Sequence, residues 1–187
     1  MDKINISNLS GKCLVALPTA DSNFYETIVY VCSHNKDGAM GFIINKPHTT
    51  FTFSELSFNL PFSNQFGPSL PIFQGGPMER DKGFIIHDQS YSDAKSFEVA
   101  NGISVTSSPE IIQAITTGHA PKNFMIVLGY AGWLPNQLEN EISQNLWMVV
   151  PATHELLFKT PIDDRWALSL LSLGINATNL CLPIGHS

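Results

Sequence analysis

Positive charge is scarce in this chain: 10 Lys+Arg stand against 16 Asp+Glu, a formal charge of -6 over 187 residues. The basic residues are also scattered singly, from Lys3 and Lys12 through Lys46, Arg80, Lys95 and Lys122 to Arg165. A protein that holds nucleic acid by neutralising phosphates needs a clustered cationic face, so no direct nucleic-acid binding is expected. Cysteine is scarce too. Cys13, Cys32 and Cys181 form an odd, widely spaced set without a CxxC pair, which argues against a secreted disulfide framework and a zinc knuckle. They read as buried, reduced thiols. A sharper expectation is that Cys13 and Cys32, each in an early strand, lie close enough together to respond to oxidants. Long apolar runs are missing as well: the run from Cys13 to Leu17 stops at Pro18, short for a signal-peptide core, and nothing reaches membrane-spanning length. A cytoplasmic protein that does not enter membranes is the expectation.

Familiar catalytic signatures are also absent. There is no GxSxG elbow and no Walker A loop. His154-Glu155 begins like HExxH, but Phe158 stands where the second histidine must be. Ser92-x-x-Lys95 has no SDN or KTG partner. A metal site on His87, Asp88 and a glutamate would need a denser set of ligands than the sequence offers, so neither a metal nor a cofactor is expected. Gly75-Gly76-Pro77 lacks the spacing of a dinucleotide fingerprint; it reads as a tight turn or as a backbone nest for an anion.

What remains is a globular chain. A hydrophobic share of 43% and a charged share of 14% suit one domain over residues 1–187, in which roughly two thirds of the unfolded surface is buried. Strands are expected at Lys12–Leu17, Thr27–His34, Ala39–Asn45, around Ile72-Phe73, at Gly83–Asp88, around Phe97–Val99, at Ile103–Thr106, Phe124–Leu128 and Leu146–Val150. Asp37-Gly38 and Asn101-Gly102 signal hairpin turns. Thr52 and Glu55, with Leu56 and Leu60, predict a short helix, followed by an ordered loop from Pro61 to Pro71. Ser108-Pro109-Glu110 opens a helix that Gly118 closes. Further helices are predicted at Pro135–Asn145, His154–Phe158 and Pro161–Leu173, the last capped by Thr160. Hairpins come first and helices gather late, which predicts an α+β fold.

The stretch from Leu128 to Ile142 reads as strand, glycine turn, helix. Such an entry can aim N–H groups at an anion, but Glu139 and Glu141 in its first turns and the lack of nearby Lys or Arg favour a neutral, polar or cationic group. Gln137 and Glu141 are four apart and continue a polar stripe from Trp133, while Glu139 lies about 200° round from Glu141 at 100° per residue. The two carboxylates therefore should not act as a pair. His87 ends an apolar strand and is the histidine of interest; His34 and His186 read as ordinary polar residues, and Trp147 and Trp166 as packing.

Taken together, Gly11-x-x-Leu-Val-Ala-Leu-Pro18, Gly38-Ala-Met-Gly-Phe-Ile-Ile-Asn45, Gly75-Gly-Pro77 with His87, Leu128-Gly-Tyr-Ala-Gly-Trp133 with Gln137-Leu-Glu-x-Glu141, Trp147 and Arg165-Trp166 resemble the bacterial AlgH/YqgE family from about Gly11 to Gly185. Pro135-Asn136 departs from that pattern, where small residues, often glycine, are usual. The resemblance implies a single domain with a mostly antiparallel sheet folded into a pseudo-barrel with flanking helices. It implies no established activity, although some members carry a transcriptional-regulator label.

Two functional expectations follow. The first is a non-catalytic regulatory or interaction protein that binds a partner protein or a small polar ligand through Asn45, Gly75, Gly76, His87, Gly129, Trp133, Gln137, Glu139 and Glu141. The second is a hydrolase-like enzyme in which His87 and Glu139 or Glu141 supply acid/base chemistry. Both place the end of the His87 strand and the start of the helix after Trp133 in one polar hollow.

Overall fold

The computed structural model describes residues 8–18, 24–53 and 70–180. Glu55, Leu56 and Leu60 of the expected helix, the expected loop up to residue 69, Cys181 and His186 lie outside the described residues, while Pro71, the expected end of that loop, already belongs to a strand. Among the described residues there are ten strands: β1 (Lys12–Ala16), β2 (Ile28–Asn35), β3 (Gly38–Ile43), β4 (Pro47–Thr52), β5 (Pro71–Gln74), β6 (Met78–Asp88), β7 (Phe97–Ala100), β8 (Ile103–Thr106), β9 (Phe124–Trp133) and β10 (Trp147–Pro151). Four α-helices are described: α1 (Pro109–Thr116), α2 (Gln137–Ser143), α3 (His154–Phe158) and α4 (Arg165–Ser172).

The strands form one curled, mostly antiparallel sheet in the order β10-β1-β2-β3-β9-β6-β8-β7, with β5 parallel to β9 and β4 beside β5. Side chains alternate along each strand, and both faces of the sheet are covered. On β1, Cys13 and Val15 point into the main core with Ile28, Tyr30, Phe42, Ile86 and Val127, drawn from both arms of the curl. The C-terminal helices fill that concave side through Leu157, Trp166 and Leu170. The intervening residues Leu14 and Ala16 face the opposite way, joining Val29, Val31, Trp133 and Trp147 under Leu138 of α2. A third cluster, Ile72, Ile85 and Ile126, sits under Ile111 and Ile115 of α1. The fold is thus an α+β half-barrel, as the order of elements suggested.

Strand β9 is the organising element. Along one edge it pairs with β6 from Phe124 to Tyr130; along the other it pairs first with β5 over Ile126–Leu128 and then with β3 over Ala131–Trp133. The change of partner falls at Gly129, whose φ is +72°. A Cβ there would lie 2.7 Å from the carbonyl oxygens of Gly76 and Met78. Side chains on Gly75 and Gly76 would in turn run into the backbone of Gly129 and Tyr130. Gly75 also ties the junction together: its N–H donates to Leu128 O at 2.7 Å, and its carbonyl accepts from Ile43 N–H at 2.8 Å.

The sequence therefore misleads at Gly129–Trp133. The predicted glycine turn is strand, with Ala131 and Trp133 buried and Gly132 exposed between them. The glycines serve contact between two backbones, and the turn comes only at Leu134–Asn136. Other differences are smaller. β4 runs up to Thr52, and helical backbone begins at Phe53, where the helix expected near Thr52 should open. Ser108 holds the N-cap position of α1 but makes no capping bond, because its hydroxyl donates to Asp93 Oδ2 at 2.7 Å. The helix expected from Pro161 begins as a 3-10 turn at Ile162–Asp164, and Thr160 Oγ1 donates back to Glu155 O rather than capping it.

Gly129→Ala tests the junction. It adds a left-handed Ala and a backbone clash, so a loss of about 2–4 kcal/mol is expected in urea denaturation, against under about 0.5 kcal/mol for an alanine at exposed Lys122.

Candidate functional site

Helix α2 follows β9 after a three-residue turn. Asn136 enters it at φ +63°, with no side-chain cap; asparagine tolerates this left-handed conformation better than most residues with a side chain. Leu138, almost wholly buried, fixes the helix over the β1–β2–β3 end of the sheet. The i,i+4 geometry then sets Gln137 beside Glu141. Gln137 Oε1 accepts Leu134 N–H at 3.0 Å, and its amide donates to Glu141 Oε1 at 2.8 Å. Glu141 Oε2 accepts two indole N–H groups, Trp133 Nε1 at 2.8 Å and Trp147 Nε1 at 2.7 Å. Both carboxylate oxygens are thus held by neutral donors, and among the described residues no Lys or Arg pairs with them.

Glu139 leaves the helix in a different direction, as the 200° separation requires. Its Oε1 is 3.1 Å from Nε2 of His34, a residue only 7% exposed near the end of β2. Leu9 N–H donates to His34 Nδ1 at 3.1 Å, so the ring proton sits on Nε2 and donates to the carboxylate. His34, Ala39 and Trp133 are cross-strand neighbours on β2, β3 and β9, which brings both carboxylates of α2 to one end of the sheet.

A cavity of about 220 Å³ opens beside the clamp, lined by Phe24, Met78, Trp133, Gln137, Glu141 and Trp147. Its aromatic walls stand nearly perpendicular. Trp147 meets Phe24 with centroids 5.3 Å apart at 73°, and Trp133 with centroids 6.0 Å apart at 77°.

The chain matches an AlgH-like family profile over residues 13–178. It belongs to the AlgH-like family. A UPF0301 protein of Blochmanniella floridana is 39% identical over 193 residues and covers all of both chains. A UPF0301 protein of Vibrio atlanticus is 39% identical over 186 residues, with 96% of this chain and all of that one covered. The solution structure of AlgH from Pseudomonas aeruginosa superposes with a TM-score of 0.76 at 34% identity, covering both chains fully. A Corynebacterium diphtheriae structure at 17% identity, with a TM-score of 0.70 over 88% of this chain and 86% of that one, shares the fold.

The residues of the AlgH-like pattern separate into three places. Trp133, Gln137, Glu139 and Glu141 lie together at the α2 end. Gly75, Gly76 and Gly129 form the backbone junction. His87 is elsewhere: it pairs across the sheet with Phe124, nine residues before Trp133 on the same strand, roughly 30 Å away at about 3.3 Å per residue. His87 is fully buried, with Nδ1 2.8 Å from Asp88 O and Nε2 3.0 Å from Thr106 Oγ1. The single hollow expected from the sequence is thus not formed. His87 faces neither Glu139 nor Glu141, and the acid/base pairing has no geometry. Asn45 is taken up in the fold, its amide donating to Glu26 O at 2.8 Å and its oxygen accepting Ile28 N–H at 2.8 Å. Phe24 and Met78 are site residues that the sequence did not single out, while His34 was read as an ordinary polar residue and Trp147 as packing. The departure at Pro135-Asn136 also gains a reason, since a left-handed residue at 136 is one that glycine fills equally well.

The thiols behave as buried groups. Burial pushes both Cys13 and Cys32 up to about 12, in Cys13 partly offset by Arg165 and in Cys32 by a backbone hydrogen bond. Thiolate is the reactive form, so a redox role for this pair loses its chemistry. In a Cys181→Ser protein at pH 8, an aromatic disulfide reagent is expected to titrate no thiol until denaturant is added; rapid modification of either cysteine in the folded protein would contradict this. Glu141→Ala strands two buried indole N–H groups, and a loss of about 2–4 kcal/mol is expected in chemical denaturation. Glu139→Gln, which keeps an acceptor for His34, should cost less than about 1.5 kcal/mol.

Proposed function

We propose that this AlgH-like protein is a non-catalytic binding protein, and that its ligand or partner places an amine-bearing or quaternary ammonium group in the cavity beside Trp133 and Trp147. The observation that carries this reading is the engagement of both Glu141 oxygens. A carboxylate whose two oxygens already accept three N–H donors is poorly placed as a general base or nucleophile. It is well suited to fix the indole walls and to lend them a negative charge. Perpendicular aromatic faces beside a carboxylate favour a cation through the ring quadrupoles, whereas the absence of Lys or Arg from the lining disfavours phosphate.

A regulatory role, on this reading, acts through a bound protein or small molecule. Operator DNA is disfavoured by the charge of -6. We place the protein in the cytoplasm, where buried thiols such as Cys13 and Cys32 stay reduced. Among the described residues no helix is long and apolar enough to cross a membrane.

The test uses the three indole N–H resonances of the full chain. Millimolar tetramethylammonium is expected to shift the Trp133 and Trp147 signals saturably and leave Trp166 unmoved. Neopentyl alcohol, similar in shape but uncharged, should move them little. Equal responses to both probes, or none to either, would refute a cation site. Gln137→Ala should weaken the tetramethylammonium response several-fold.

A further inference from the structure

The Arg165-Trp166 block takes no part in the α2 site. Arg165 is 5% exposed at the start of α4. Its Nε donates to Thr160 O at 3.1 Å, and its Nη1 donates to Ile44 O and to Met125 Sδ at 3.4 Å. The guanidinium carbon also stands 5.6 Å from the centre of the Phe73 ring. All of these partners are neutral. Among the described residues no carboxylate pairs with Arg165, and its sequence neighbours Asp163 and Asp164 are exposed. Burial lowers its pKa, partly offset by Cys13, but arginine remains a cation at any physiological pH.

A buried charge is ordinarily matched by an opposite one. Among the described residues the match is missing, and so are partners for part of the fork. Arginine has five N–H donors; those on Nη2 make no hydrogen bond to a described residue. Arg165 also lines a cavity of about 160 Å³, with walls that include Phe73, Phe124, Leu157, Phe158 and Ile162, and among the described residues no Asp, Glu or Lys contributes to the lining. An unmatched guanidinium in an otherwise apolar hollow is complementary to one kind of molecule: a single anionic group on a compact apolar body.

We propose that this cavity binds a small organic carboxylate, with its charged group on Arg165 and its apolar body against the aromatic and aliphatic walls. Size narrows the class. Sites for drug-sized ligands begin at about 300 Å³, so a nucleotide or a lipid chain does not fit. Chemistry narrows it further. A phosphate monoester brings two charges and three strong acceptor oxygens, which one fork among hydrocarbon walls cannot satisfy, whereas a carboxylate matches the fork in charge and shape. This site is independent of the α2 cavity, and neither proposal needs the other.

The experiment is thermal unfolding of the full chain with benzoate, benzamide or inorganic phosphate at equal ionic strength, checked by the indole resonances. Benzoate is expected to raise the midpoint in a saturable, concentration-dependent way and to perturb Trp166 rather than Trp133 or Trp147. Benzamide, with the same shape and no charge, and phosphate, with charge and no apolar body, should leave the midpoint unchanged. Ile162→Trp fills the cavity from its half-buried rim while leaving Arg165 in place, and should abolish the benzoate response. Arg165→Lys should weaken it at least tenfold; if that variant does not fold, Ile162→Trp decides. No benzoate response in the wild type, an equal rise with benzamide or phosphate, or a benzoate response that survives Ile162→Trp would each overturn the proposal.

Discussion

Contact between two glycine backbones holds this architecture together. Gly75 and Gly76 approach Gly129 so closely that a side chain on any of them would strike main-chain atoms. This closeness lets one edge of β9 pass from β5 to β3 without a break. Both proposed sites hang from the two ends of that strand. Beyond the junction, Trp133 reaches the clamp beneath α2; before it, Phe124, Met125 and Ile126 form part of the wall around Arg165. A strand that stopped at Leu128, as the glycines suggest, would leave Trp133 without its place in the sheet, and Glu141 without one of its two indole donors.

The two ends hold charge in opposite ways. At the α2 end a carboxylate is held by neutral N–H donors, all three of them from side chains. At the α4 end a guanidinium is held by neutral carbonyls, a sulfur and an aromatic face. Among the described residues neither the Glu141 carboxylate nor the Arg165 guanidinium has an oppositely charged partner. Hydrogen bonds to neutral groups offset much of the desolvation of a charge without cancelling the charge itself, and both proposed ligands are chosen for a sign opposite to it. The His87 region differs, because its two ring nitrogens meet a carbonyl and a hydroxyl inside the fold.

Local chemistry was legible in the sequence wherever it fixed the structure by itself. The Asn101-Gly102 hairpin forms with φ of 53° and 75°, as that dipeptide demands, and Gln137 bonds to Glu141 as residues four apart on a helix should. The fold class followed from the order of hairpins and helices. Long-range partners were not legible. His34 meets Glu139 across 105 residues, and no local pattern records such a pairing. The Gly129–Trp133 stretch misled for a related reason: a glycine placed for a neighbouring backbone looks, in one dimension, like a glycine placed for a turn. His87 drew interest because strand ends often carry function, yet its end of β6 is sealed beneath Tyr91 and the Thr106 hydroxyl.

The central place of β9 also shapes how the molecule comes into being. A nascent chain leaves the ribosome from its N-terminus, so β1 to β8 emerge before the strand that joins β3, β5 and β6. Until residues 124–133 appear, the first hairpin and the β6–β8 arm have no common partner, and β1 waits longer still for β10. Pairings this distant in sequence are slow to form, and the open edges of the early strands invite contact with other chains. Completion late in synthesis makes this a fold whose yield depends on how well its first hundred residues are shielded during translation.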